Sequence, residues 1–168
     1  LDFVSLLDWT RILTNRTGKK LNTYQTSIHL DIGDDGSIYI AGNTNEEFDG
    51  LTPKPYYLTY YSHPQYYNDV FISKYNSKGE KEWTKLFGTS GDERCSGIVR
   101  GSDGSIYIAG ITNISNTFQD DNVYLYKLDS NGNVKWERTF GTDEEDTVSK
   151  ITIGKDDQIY ITGRTSGK

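Results

Sequence analysis

Cysteine is almost missing from this chain of 168 residues, and the single one, Cys95, excludes an intrachain disulfide and any cysteine-based zinc cluster. Histidine is nearly as scarce, and His29 and His63 are too few for a multi-histidine metal site within one chain. Basic residues are outnumbered, 18 Lys and Arg against 24 Asp and Glu, for a net charge of −6. The longest basic run is Lys19-Lys20. A polyanion-binding surface shows a cationic excess, so nucleic acid is not an expected partner. No stretch approaches the roughly 18 apolar residues that span a bilayer, and no membrane insertion is expected. No segment sustains apolar residues at i, i+3 and i+4, so no helix of consequence is expected. Methionine is absent and Leu1 comes first, as expected of a processed or excised piece of a longer protein.

What is present points to strands. There are 13 Tyr and 17 Gly but only 3 Pro, with Tyr, Ile, Thr and Val in short runs between Gly, Asn and Asp. The mean hydropathy of −0.68 looks too polar for a large core. Tyr and Thr, however, bring buried carbon that hydropathy scales undercount.

The decisive feature is a repeat. Asp35-Gly-Ser-Ile-Tyr-Ile-Ala-Gly42 returns unchanged as Asp103-Gly-Ser-Ile-Tyr-Ile-Ala-Gly110, and again, degraded, as Asp156-Asp-Gln-Ile-Tyr-Ile-Thr-Gly163. A second block, residues 68–83 ending in Trp83, matches residues 121–136 ending in Trp136. Gly110 to Gly163 and Trp83 to Trp136 share one spacing of 53 residues, whereas Gly42 to Gly110 spans 68. The excess is an insertion within residues 46–67. Trp9, followed by Thr-Arg-Ile-Leu, aligns with Trp83-Thr-Lys-Leu-Phe as the tail of an earlier copy.

Each unit reads as four short strands, shown best by residues 96–101, 105–110, 122–128 and 134–140. Asp-Gly between the first two is a strong hairpin signal. The third strand is apolar on both parities, which suits a strand covered on both faces. The fourth mixes Trp136 and Phe140 with Lys135, Glu137 and Arg138, as on an outer edge blunted by charge. A four-stranded unit repeating at about 50 residues is the mark of a β-propeller blade, which needs neighbours to cover both its faces. The expected fold is therefore all-β, with about three four-stranded antiparallel repeats making an incomplete propeller. Residues 1–24 are the tail of a preceding blade, 25–88 a blade carrying the insertion 46–67, 95–141 a second blade, and 147–163 the first half of a further one.

The succession Phe-Gly-Thr-Ser-Gly-Asp-Glu (87–93), an aliphatic run, Asp-Gly-Ser-Ile-Tyr-Ile-Ala-Gly, and Asn-Asp-Val-Phe-Ile-Ser-Lys-Tyr-Asn-Ser-Lys-Gly resembles the bacterial β-propeller repeats called SBBP. PQQ-type propellers share the Gly-x-x-x-Trp ending, here Gly79 to Trp83 and Gly132 to Trp136, and are the nearest competitor. The SBBP resemblance covers most of residues 25–163. It implies a propeller without a shared catalytic apparatus, of a kind often found on secreted or cell-surface bacterial proteins. Trp83 and Trp136 and the unequal first spacing depart from the pattern.

About three blades do not close a ring, since closed propellers need about four or more. The chain is then a fragment of a larger propeller, a protomer whose ends meet those of another copy (two copies giving about six blades), or an open array capped otherwise. The insertion brings Tyr56, Tyr57, Tyr60, Tyr61, Tyr66 and Tyr67 together, a set suited to a protein or glycan ligand or, alternatively, to covering the rim of the blade. The acidic clusters Asp92-Glu93 and Asp143-Glu-Glu-Asp146 read as solvated loops, with Ca²⁺ as the lesser alternative and no cofactor expected. No residue is assigned a catalytic role: Gly88-Thr-Ser-Gly91 is no phosphate loop, and Cys95 reads as a small packed strand residue. The expected function is a non-catalytic module for protein interaction or assembly, with itself or with the remainder of a larger propeller as partner. The alternative is a carbohydrate-binding or sugar-active propeller using the Tyr-rich loop.

Overall fold

The computed structural model describes residues 27–56, 65–113 and 121–167. In chain order the strands are β1 (Ile28–Ile32), β2 (Ile38–Thr44), β3 (Pro55–Tyr56), β4 (Gln65–Tyr66), β5 (Asp69–Tyr75), β6 (Lys81–Phe87), β7 (Asp92–Arg100), β8 (Ile106–Asn113), β9 (Asn122–Leu128), β10 (Val134–Phe140), β11 (Asp146–Ile153) and β12 (Ile159–Thr165). All pairings are antiparallel, and there is no helix among the described residues. One four-stranded sheet runs β1-β2-β5-β6, a second β7-β8-β9-β10, and β11 with β12 forms a hairpin.

The turns follow from the repeated Asp-Gly-Ser. The Asp35 carboxylate accepts from the backbone N–H (3.0 Å) and hydroxyl (2.9 Å) of Ser37, and Asp103 does the same to Ser105 at 2.8 Å for both bonds. The backbone bond and then the hydroxyl hold both carboxyls below the usual carboxylate range. Gly36 and Gly104 sit between them at φ 76° and 77°, a region glycine enters at no steric cost. In the degraded third copy Asp157 occupies that place at φ 58°. Its carboxylate accepts from the N–H and hydroxyl of Ser102 in the neighbouring sheet, a bond that offsets the strain of a side chain there.

One expectation is corrected. Residues 92 and 93, read as a solvated loop, belong to β7, which starts at Asp92. A bulge between Cys95 and Gly97 lets the strand continue past the irregularity, so that Asp92 pairs with Asn113 and Glu93 with Thr112. Likewise β11 starts at Asp146, and its bulge falls between Val148 and Lys150.

Because side chains alternate along a strand, every sheet presents two different faces. One face of the first sheet offers Tyr39, Ala41, Val70 and Ile72 to Ile98, Ile106, Ile108, Tyr126 and Leu128 of the second. The opposite face of the second sheet offers Tyr107, Ala109 and Leu125 to Ile151 of the hairpin, with Ile159 and Ile161 packed alongside. Each fully buried side chain of this size stabilises by about 1.5–3 kcal/mol. The two sheets also repeat their aromatic contacts: Tyr39 meets Trp83 at 6.3 Å between ring centroids, and Tyr107 meets Trp136 at 6.2 Å. Lys74 lies over the first tyrosine and Lys127 over the second. As the apolar third strands foretold, β5 and β9 are buried nearly throughout.

Among the described residues, apolar side chains at both ends of the stack are exposed. Leu30, Ile98 and Ile151 hold one position in the three copies, yet Leu30 is 57% exposed while Ile98 and Ile151 are 6% and 4% exposed. Tyr39, Tyr107 and Tyr160 hold another, and here the last is 52% exposed against 2% and 8%. Phe87 packs on Tyr126 at 5.3 Å, but its counterpart Phe140 has no such strand beside it among the described residues and is exposed. No helix among the described residues is long and apolar enough to cross a membrane.

Candidate functional site

Of the six tyrosines singled out in the sequence, Tyr57, Tyr60 and Tyr61 lie outside the described residues. Tyr56 and Tyr66 belong to the two-residue ladder β3–β4, where Pro55 pairs with Tyr66 and Tyr56 with Gln65. Tyr67 follows, half-buried, just before β5. The ladder therefore gathers the two ends of the Tyr-rich segment at the start of the third strand. Other residues of the insertion do fold back onto the sheet. Phe48 packs on Phe71 at 4.4 Å with Ile40 and Leu86 around it, covering part of the face that also carries Leu30. Lys81 pairs with Asp49 at the edge of that patch.

The insertion also reaches the joint between the first two sheets, at a cluster that sequence reading missed. Glu93, 1% exposed, accepts from the backbone N–H of Thr89 (2.9 Å), the Thr89 hydroxyl (2.5 Å) and the Thr112 hydroxyl (2.8 Å). Its own N–H donates to the Asn68 carbonyl at 2.8 Å. Asp69, 2% exposed, accepts from the Lys54 N–H at 2.9 Å through Oδ2, while Oδ1 has no partner among the described residues. Gly88 threads between the two carboxylates, where a methyl group would collide with both, and its carbonyl accepts from the Lys54 ammonium. Burial pushes the Asp69 carboxyl up to about 6, with Glu93 adding to the rise and Lys54 opposing it.

The second joint repeats the arrangement with a different charge. Asp146 takes the place of Glu93 and accepts from the N–H and hydroxyl of Thr142, and its N–H donates to the Asp121 carbonyl at 2.8 Å. Asn122 stands where Asp69 stands, and Gly141 passes between the two side chains. So the acidic residues are buried acceptors that tie the loop leaving one sheet to the first strand of the next. The signal was present as Phe-Gly-Thr followed after three residues by Glu93 or Asp146, recurring at the repeat spacing. Asp143, Glu144 and Glu145 do remain exposed, as expected of a loop.

A cleft of about 310 Å³ opens where β1, β7 and β11 end side by side, lined by Asp31, Asp34, Arg100, Ser102 and Thr152. Arg100 lies over the Tyr39 ring at 4.9 Å, and its buried Nε has no partner among the described residues. No group of three or more His, Cys, Asp or Glu able to hold a metal occurs among the described residues. His29 Nε2 donates to the Cys95 carbonyl at 3.2 Å, linking the first two sheets. Cys95 is buried in the joint as a small strand residue, and burial pushes its thiol up to about 12. It is expected to resist a thiol reagent at pH 8 in the native protein and to react at once in denaturant, which a colorimetric thiol assay checks.

No known family matches the chain. It is similar to the regulatory protein FlaEY of Caulobacter vibrioides, at 25% identity over 154 residues. That stretch is 85% of this chain but 16% of the relative, so the chain spans a small part of the relative's length.

Proposed function

We propose that the chain is a non-catalytic β-propeller module, of the SBBP-like kind its repeats resemble, that acts by assembly. Its end sheets are completed by another chain or by further repeats of a larger protein. The observation that supports this reading is the exposure of Leu30 at one end and Tyr160 at the other, when the same positions inside the stack are buried. Repeat sheets of this kind bury their apolar faces only on neighbours, so an open end is an unfilled joint. The Tyr-rich segment of the insertion would add to the contact. The resemblance alone supports a setting outside the bacterial cytoplasm.

Light scattering on the native protein tests the assembly. A particle heavier than one 19.1 kDa chain is expected at micromolar concentration. Tyr60→Ala and Tyr61→Ala are expected to change that mass, and glycan titration to leave the tyrosine fluorescence unmoved. A single-chain particle whose β12 amides and Leu30 side chain are fully protected would overturn the reading.

A further inference from the structure

We infer that the open faces bind each other, head to tail, between two copies of this chain. The inference rests on the module reading above and names what fills the open joint. In both joints within the chain, a face carrying Tyr at the second position of the Ile-Tyr-Ile motif lies on a face carrying a buried aliphatic residue of the next first strand. Tyr39 and Ala41 serve one joint, Tyr107 and Ala109 the other, against Ile98 and Ile151 respectively. The same chain carries both unmatched halves of a third such joint. The hairpin presents Tyr160, and β1 presents Leu30 flanked by exposed Ile28 and Ile32. A surface whose complement sits on the opposite end of the same molecule makes a heterologous contact, and such contacts close into rings when the rotation allows.

The polar detail also carries over. His29, on the Tyr39 face, donates to the carbonyl of Cys95 in the next sheet. Lys150 holds the His29 position in the hairpin, since His29 pairs with Ala41 and Lys150 with Thr162, and it is exposed. In register Ile28 holds the Cys95 position, since both pair with the last glycine of the repeated motif. In the joint between copies, the Lys150 ammonium of one copy thus has the start of β1 of the other beside it. The contact is specific in direction: a Leu30 face against another Leu30 face would lack both the tyrosine and the donor.

Facing sheets lie about 10 Å apart, too far for a disulfide but within reach of a short bismaleimide. Leu30→Cys and Tyr160→Cys are made in separate chains, both at exposed positions, with Cys95 buried and silent. Mixing the two variants is expected to give at least about tenfold more covalent dimer than either alone. Excess unlabelled wild type is expected to suppress that product. Leu30→Asp is expected to lower the native mass to one chain with the far-ultraviolet spectrum unchanged. Coupling of the Leu30→Cys variant with itself would overturn the inference in favour of a face-to-face pair. A heavier particle without mixed coupling would overturn it too, pointing to another contact. A monomer with a freely labelled Cys at position 30 would overturn the head-to-tail pair and leave the module reading standing. A monomer in which that thiol is shielded would overturn both.

Discussion

Glu93→Ala is expected to lower the stability of the protein by about 3–4 kcal/mol and its melting temperature by about 10 °C. The carboxylate is buried and accepts three bonds, two of them from Thr89 and one from Thr112. Alanine leaves those donors without an acceptor in a site that admits little water, and each buried unpaired donor costs roughly 1–3 kcal/mol. Relief of the repulsion with Asp69 offsets part of the loss. Glu93→Gln keeps the oxygen that accepts both hydroxyls and gives up only the bond from the Thr89 N–H, so its cost is expected to be less than half as large. Urea denaturation of the three proteins checks the order. An alanine variant within about 0.5 kcal/mol of wild type would show that the two sheets are held by apolar packing alone.

Asp69→Asn is expected to act in the opposite direction, raising stability by about 1–2.5 kcal/mol at pH 7 and above. Asp69 faces the Glu93 carboxylate from β7 and the Lys54 ammonium from the insertion, and its carboxyl is raised to about 6. In the unfolded chain the value is about 3.9. A carboxyl raised by folding binds its proton more tightly in the native state. Its favourable contribution is therefore complete below about pH 4, falls as the pH rises to 6, and is absent above. The asparagine variant removes that loss and copies the second joint, where Asn122 already faces Asp146. The stability difference between variant and wild type should grow from pH 4 to pH 6 and then level off. A difference that stays constant from pH 4 to pH 8 would place the ionisation elsewhere.

These two residues mark the boundary between what could be read and what could not. Asp35, Gly36 and Ser37 announce a turn wherever they stand, because one carboxylate, one permissive backbone and one hydroxyl are neighbours in the chain. Trp136 among charged residues likewise announces an edge strand, and β10 is one. Asp69 and Glu93 are 24 residues apart, and nothing local separates them from the many exposed acids. Their burial depends on the bulge at Cys95, which extends β7 back to Asp92, and on Gly88 passing between them. The tyrosines of the insertion stood out because they are dense in the sequence, but Phe48, Asp49 and Lys54, which are not, are among the residues tying the insertion to the sheet and the joint.

By itself the order of residues determined the repeat, its period, the all-β class and the alternation that gives each sheet two faces, since turn chemistry and side-chain parity act over a few neighbouring residues. Only the tertiary structure decided which face meets which, that Leu30 and Tyr160 are exposed where their counterparts are buried, and that two carboxylates share one dry joint. Burial and charge repulsion are properties of what lies nearby in space, and identical octapeptides at residues 35–42 and 103–110 carry no record of what packs against them.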